Sequence, residues 1–220
     1  MSERTALVDL DGTLTDPADG IIGGFQFALA RLGAPTPERD KLTWVIGPPL
    51  RKAFPLLLPE PTEARVEAAV LAYREYYSRT GLFEASVYRG IPEALDRLRR
   101  AGWRLLLCTA KPHVFAVPVL QHFGLMGQFE GVYGAELDGR HDDKGELIAH
   151  ILAQRRLRAD CMVMIGDRGS DMTAAGRNAM RGIGVTWGYG SAEELESAGA
   201  TLLCHKPAGL EDAVANLVRT

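Results

Sequence analysis

Apolar positions along this chain fall into two rhythms. From about residue 86 onward, segments with apolar residues every three or four positions alternate with short continuous apolar runs. GIPEALDRLRRAG (90–102) puts Ile91, Leu95 and Leu98 on one helical face, and Gly102 ends it. WRLLLCTAK reads as the strand that follows. Pro112 then opens a helix that continues through HVFAVPVLQHFG to Gly124, with Pro118 predicting a kink or an early turn. FEGVYGAEL is a short strand. KGELIAHILAQRR is a helix with Leu147, Ile148, Ile151 and Leu152 facing inward. CMVMIGD, GIGVTWG and TLLCHK are further strands; SDMTAAGRNAM, SAEELESAG and PAGLEDAVANLV are further helices. Ser191 and Glu194 have capping-box spacing at one helix start. Strands alternating with helices predict an α/β fold: a Rossmann-like parallel sheet core with helices on both faces. RLLLC and CMVMI lack polar alternation, as strands buried on both sides do.

The first strand, about residues 5–10, is separated from this series by a segment of another character. GIIGGFQFALARLG, PTPERDKLTWVIG, PPLRKAFPLLL and PTEARVEAAVLAYREYYSR read as about four helices, several opened by Pro, with no strand among them. The predicted organisation is a catalytic core of residues 1–15 and 85–220, with a small all-helical cap of residues 16–84 inserted after the first strand. TDPADG and GLFEASVYRG are the hinge candidates.

Composition narrows the function classes. Of 220 residues, 46% are hydrophobic and 24% charged, and the net charge of −3 favours neither a nucleic acid polymer nor an anionic membrane as partner. The apolar runs are of strand length, far below the ~20 residues that span a bilayer. The first strand begins too early to leave room for a signal peptide. Cys108, Cys161 and Cys204 lie in or beside apolar runs without metal-ligand spacing, and read as reduced, buried thiols. The scattered histidines exclude a zinc motif. A cytoplasmic location follows, as a monomer or homodimer.

What ends each apolar run is more telling. LVDLD ends in Asp9 and Asp11, LLLCT in Thr109, and MVMIGD in Asp167, with Asp171 four residues further on. In a parallel sheet these ends share one edge, where open α/β sheets bind ligands. Asp-Gly after a strand is by itself an ordinary turn signal; its recurrence with other polar strand ends points to chemistry. Carboxylates in a cluster are hard oxygen ligands suited to Mg²⁺, and a carboxylate can form an acyl phosphate. A phosphate dianion 4 Å from one carboxylate is repelled by roughly 8 kcal/mol at an effective dielectric of 20, so such a site needs cations. Lys144, opening the helix KGELI after the polar loop GRHDD, is the candidate.

Asp9-Leu10-Asp11-Gly12-Thr13 resembles the first motif of the haloacid dehalogenase superfamily, in its phosphatase branch. Thr109, Lys144, and Gly166-Asp167 with Asp171 resemble its second, third and fourth motifs, in order along the whole core. DGTLTDP, YRGIPEAL, GDRGSDMTAAGRNAM and IGVTWGYGS are similar to the phosphoglycolate-phosphatase-like subgroup, which also includes 5′-nucleotidase-like enzymes. The resemblance implies a Mg²⁺-dependent phosphatase for a small phosphorylated metabolite. Its alternatives are a 5′-nucleotidase acting on nucleoside monophosphates and a phosphomutase. It makes Asp9 the nucleophile and Asp11 the acid and base. Thr109, Ala110 and Lys144 become phosphate contacts. The ligands of Mg²⁺ become Asp9, Asp11 through its carbonyl, Asp167 and Asp171. Ala110 departs from the family, where many relatives carry Asn or Ser. Arg51, Lys52 and Lys111 are substrate candidates; Arg168 is a cation that meets substrate or nearby acids. Phe25, Trp44, Phe54 and Tyr73 are expected to pack the cap.

Overall fold

In a computed structural model of the chain, which describes residues 4–218, the first apolar run forms β1 (Thr5–Val8). The chain leaves the sheet through β2 (Thr15–Asp16), passes through the helices α1 (Ala18–Arg31), α2 (Leu50–Ala53) and α3 (Glu63–Arg79), and returns through β3 (Ser86–Val87). There follow α4 (Ile91–Arg100), β4 (Arg104–Pro112), α5 (His113–His122), β5 (Gly131–Ala135), α6 (Lys144–Arg155) and β6 (Met162–Gly166). The series closes with α7 (Gly169–Arg177), β7 (Arg181–Val185), α8 (Ala192–Ser197), β8 (Leu202–Cys204) and α9 (Leu210–Val218). The chain divides into two units, Met1–Thr15 with Val87–Thr220, and Asp16–Ser86.

The larger unit is an α/β fold on a six-stranded sheet in the order β5-β4-β1-β6-β7-β8, every pair parallel. Parallel strands need crossover helices, which cover both faces and force the strands to be apolar throughout. Leu7, Leu106, Cys108, Met162 and Met164 form one buried cluster with Leu147, Ile148 and Ile151 of α6 and Ala174 and Ala175 of α7. Their strand neighbours Ala6, Val8, Leu105, Leu107, Val163 and Ile165 alternate to the other face and are equally buried. Pro118 does not interrupt α5, which runs unbroken from His113 to His122. The carbonyl it leaves without a helical donor is that of Val114, a residue 50% exposed, where water can bond it. Cys161 departs from its expected burial: it is half-buried, and its thiol donates to Asp160 at 3.4 Å.

In the second unit α1 packs on α3. The Phe25 ring lies 4.6 Å from Phe54 and 5.2 Å from Tyr73, centroid to centroid, so three of the four expected aromatics form its core. Trp44 does not; it is 36% exposed. Two of the four expected helices are reduced. PTPERDKLTWVIG makes a 3-10 helix, Arg39–Val45. PPLRKAFPLLL makes the single turn α2 followed by a 3-10 turn, Phe54–Leu56. Pro55 lacks the N–H that would continue α2, so the turn tightens there. Among the described residues no helix is long and apolar enough to cross a membrane.

Leu7 is fully buried in a strand flanked on both sides, so Leu7→Ala removes side-chain contacts on the face covered by α6 and α7. A loss of about 2–5 kcal/mol is expected from the urea-unfolding midpoint. Leu56→Ala, at a residue 75% exposed, is expected to stay within about 0.5 kcal/mol.

Candidate active site

Sheet order brings three chain-distant strand ends together. β1 lies between β4 and β6, and the strand sequence turns from one side of it to the other. Crevices at such switch points are where open α/β sheets bind ligands. Beyond the carboxyl ends of β1 and β6 lie Asp9, Asp11 and Asp167, while Thr109 lies within β4, which runs on to Pro112 rather than ending at Thr109. Among the described residues the buried charged side chains are Asp9, Asp11, Lys111, Lys144, Asp167 and Asp171, and the contacts below join them at this edge.

The loop after β1 sets the first two. The Asp9 N–H donates to the Ile165 carbonyl at 2.9 Å, which prolongs the pairing with β6 by one residue. The chain then curls back: the amides of Thr13, Leu14 and Thr15 all donate to the Leu10 carbonyl, at 3.3, 2.9 and 3.1 Å. Leu10 is fully buried, as its place between two outward carboxylates required. Gly12 turns with φ +83°, and a Cβ there would overlap the Asp167 carboxylate. Only glycine combines that backbone with so close an approach.

Asp167 is held from both sides. Thr13 Oγ1 donates to its Oδ1 at 3.1 Å, and the Tyr189 N–H to its Oδ2 at 2.9 Å. The Trp187 indole N–H ties the loop after β7 to the Thr13 carbonyl at 3.0 Å. Between Trp187 and Tyr189, a Cβ on Gly188 would strike both the Gly12 carbonyl and Asp167. Burial, then the charges of Asp171 and Asp9, push Asp167 up to about 8.

Lys144 opens α6, whose N-cap Asp143 accepts from the Glu146 N–H at 3.0 Å and from Arg177 at 2.9 Å. The Lys144 ammonium lies 3.0 Å from Asp9 Oδ2 and also binds Asp171 Oδ1. Burial alone would lower its pKa, but the carboxylates of Asp171 and Asp9 outweigh that and raise it. Asp171 uses its other oxygen to accept from the Arg168 N–H at 3.0 Å, capping α7. Burial raises its pKa, against the opposing charge of Lys144. Lys111 Nζ lies 2.8 Å from Asp11 Oδ1. Burial raises the pKa of Asp11 too, with Lys111 opposing. Cys108 lies near these acids, but burial pushes its thiol so far up that it stays protonated.

The donor set fits a hard divalent cation. With all four carboxyl groups ionised, two ammonium groups would leave two negative charges in excess in a buried site, which is why the acids without a cation hold protons more tightly. Oxygens of Asp9, Asp167 and Asp171 lie within 4.8 Å of one another. Asp9 Oδ1 is buried with no hydrogen-bond partner among the described residues. A buried carboxylate oxygen is costly in that state unless a cation faces it. The Asp11 side chain is not part of this trio; it turns to Lys111.

Thr109 is buried, and its hydroxyl oxygen accepts from the Lys111 N–H at 3.2 Å; Ala110 between them is half-buried. Arg168 pairs with Glu194 at 3.1 Å, and Glu194 also accepts from the Gly169 N–H at 2.7 Å. That explains a half-formed capping box: Ser191 accepts from the Glu194 N–H at 3.0 Å, while the glutamate carboxylate caps α7 instead. Arg51 and Lys52 lie in α2 of the other unit, where Glu67 binds the Arg51 guanidinium at 2.6 and 3.0 Å and Lys52 is exposed. From sequence Trp187 and Tyr189 read as loop structure or cap contacts; here they and Gly188 between them support Asp167 and the loop after β1. Their signal was position alone, past the end of a strand that proved to neighbour β6.

Comparison with known proteins agrees with this geometry. A family model described as haloacid dehalogenase-like hydrolase matches residues 6–185. The chain is 45% identical to a 5′-nucleotidase of Pseudomonas aeruginosa, over 94% of each chain. It is 39% identical to the tyrosine-protein kinase PtkA of Mycobacterium tuberculosis, over 93% of this chain and 69% of that one. It is 32% identical to a phosphoglycolate phosphatase of Agrobacterium fabrum, over 84% and 81%. A predicted phosphatase from Clostridium acetobutylicum has the same fold, with TM-score 0.93, 34% identity and 98% and 100% of the two chains covered. With its strand-end acids and lysines in place and the family model matched across most of its length, the chain belongs to the haloacid dehalogenase-like hydrolases, as one of their phosphatases.

Proposed function

We propose that this hydrolase cleaves small phosphomonoesters through a phosphorylated Asp9, with Mg²⁺ as its cofactor. The observation that supports this best is the sharing of buried charge at one sheet edge. Lys144 bridges Asp9 and Asp171 while Asp11, two residues from Asp9, is kept apart on Lys111. A nucleophile and an acid therefore stand side by side without sharing a cation.

Asp9, Asp167 and Asp171 would hold Mg²⁺, with the Asp11 carbonyl as a further ligand. When bound, Mg²⁺ offsets the negative charge of the phosphate. Lys144, 3.0 Å from Asp9 Oδ2, holds that carboxylate in place. An Asp9 oxygen bonds to phosphorus as the ester P–O bond breaks, and Asp11 gives its proton to the departing oxygen. Asp11 then takes a proton from water as that water displaces Asp9, releasing inorganic phosphate. Thr109 and the amide of Ala110 are the proposed phosphoryl contacts, and Arg51 and Lys52 the proposed substrate contacts of the cap.

Nucleoside 5′-monophosphates are the favoured substrate class, supported by the 45% identity to a 5′-nucleotidase. Phosphoglycolate is the second reading, supported by the 32% relative. Steady-state kcat/KM with Mg²⁺ across both, with ATP and a tyrosine peptide as a kinase control, decides. Nucleoside monophosphates are expected to lead by about tenfold or more. A lead for phosphoglycolate reverses the order, and peptide phosphorylation without ester hydrolysis overturns the phosphatase mechanism.

Asp9→Asn is expected to abolish turnover, and Asp11→Asn to lower it by about 10²–10⁴-fold, with circular dichroism unchanged. Turnover in Asp9→Asn near that of the wild type would remove the nucleophile.

The cation has a stability signature. Asp167 rises from an ordinary 3.8 to about 8 on folding, so the fold holds a proton that the unfolded chain has released. That contribution is present at low pH and is lost as pH rises toward about 8. In EDTA-treated protein the thermal midpoint is expected to fall between about pH 5 and about 8, and added Mg²⁺ to restore it most at the upper end. A flat profile that Mg²⁺ leaves unmoved would take the cation out of this site.

A further inference from the structure

We propose that Lys111 is a positioning residue for proton transfer, whose ammonium group holds the Asp11 carboxylate where it meets the departing oxygen. The inference deepens the phosphatase reading and rests on it. The Lys111 and Asp11 side chains are 5% and 10% exposed, with Nζ 2.8 Å from Oδ1. A long cationic side chain gives up much rotamer freedom and hydration to be buried, and the Asp11 carboxyl group within hydrogen-bond distance offsets part of this.

Both backbones are tied down. The Lys111 N–H donates to Thr109 Oγ1 at 3.2 Å. The pairing of β4 with β5 shifts register between Thr109 and Pro112, which sets Lys111 in the irregular stretch. There Gly134 of β5 comes so close that a Cβ on it would meet the Lys111 carbonyl. Asp11 bridges to Thr15, with the Gly12 N–H donating to the Thr15 carbonyl at 2.8 Å.

The two buried lysines divide the acids between them. Lys144 takes Asp9 and Asp171; Lys111 takes Asp11. Besides Lys111, the cation whose charge acts on Asp11 is Lys144, the one that serves the nucleophile. The role of Lys111 follows from the first chemical step. As the Asp9 oxygen bonds to phosphorus and the ester P–O bond breaks, the Asp11 O–H bond also breaks and its proton passes to the departing oxygen. The carboxylate left behind faces the Lys111 ammonium, so the charge that develops on Asp11 is met by a cation already in place.

Leaving-group dependence separates this role from phosphate binding. A primary alkoxide needs a proton to depart, whereas p-nitrophenolate disperses its charge and does not. The ratio kcat/KM reports only events through release of the alcohol, so the later hydrolysis of phosphorylated Asp9 does not enter it. In Lys111→Met, kcat/KM is expected to fall about 10²-fold for a primary alkyl phosphate and within about threefold for p-nitrophenyl phosphate. Lys111→Arg, which keeps a cation, is expected to recover most of the alkyl activity. Equal losses on both esters, or no recovery by arginine, would overturn the proposal and make Lys111 a phosphate contact or a packing residue. If Lys111→Met does not melt cooperatively, Lys111→Gln gives the same two-ester comparison. Wild-type protein inactive on both esters would instead overturn the phosphatase reading, and this inference with it.

Discussion

Burying four carboxylates at one edge of a sheet is the constraint around which this protein is arranged. Unpaired, each would cost several kcal/mol to desolvate, and side by side they repel. The fold answers with two lysines and a set of hydrogen-bond donors, and it leaves oxygens of Asp9, Asp167 and Asp171 within 4.8 Å of one another. Lys144 and Lys111 are each anchored by an element of their own, α6 and β4. Thr13, the Tyr189 amide and the Arg168 amide hold Asp167 and Asp171 in one orientation. Fully ionised, the four acids would still outnumber the two lysines, and that imbalance favours a cation at this edge.

The parallel sheet is what makes such crowding possible. A strand buried on both faces presents polar atoms only at its ends, and parallel pairing puts the carboxyl ends on one side. β1 lies at the switch point, so its loop has β4 on one flank and β6 on the other. The glycines complete the arrangement. Gly12 and Gly188 close on Asp167 from two loops, leaving no room for a Cβ on either. The support therefore runs outward from Asp167 to the loop after β7, through Trp187, and from Arg168 to Glu194 at the start of α8. Groups held in this way are fixed in orientation by the surrounding backbone and by neighbouring side chains.

Much of this was legible in the chain. The alternation of apolar runs and amphipathic segments located nearly every element of the larger unit, because a period of two or of continuous burial cannot be confused with 3.6 over ten residues. The helices between residues 35 and 58 were less legible. Pro49 and Pro55 mark helix starts by propensity, yet spaced so closely they allow only one α-helical turn. Pro118 does not end its helix, and the carbonyl it leaves without a helical donor belongs to Val114, an exposed residue.

By itself, then, the sequence determined that a parallel sheet is covered by helices and which strands end in acids, since both follow from local periodicity and composition. It also determined the kind of chemistry, because Asp9, Asp11, Thr109, Lys144, Asp167 and Asp171 appear in the order and setting of one family. Only the tertiary structure decided which charge meets which. Lys111 and Asp11 are 100 residues apart, and nothing in either neighbourhood names the other; the parallel pairing of β1 with β4 sets their strands side by side, and their side chains meet at 2.8 Å. The same holds for Glu194, whose spacing from Ser191 signalled a cap for its own helix but whose carboxylate caps α7. Pairing of charges is a property of distance in space, and in a parallel sheet that distance is set by strand order, which no local stretch of the chain encodes.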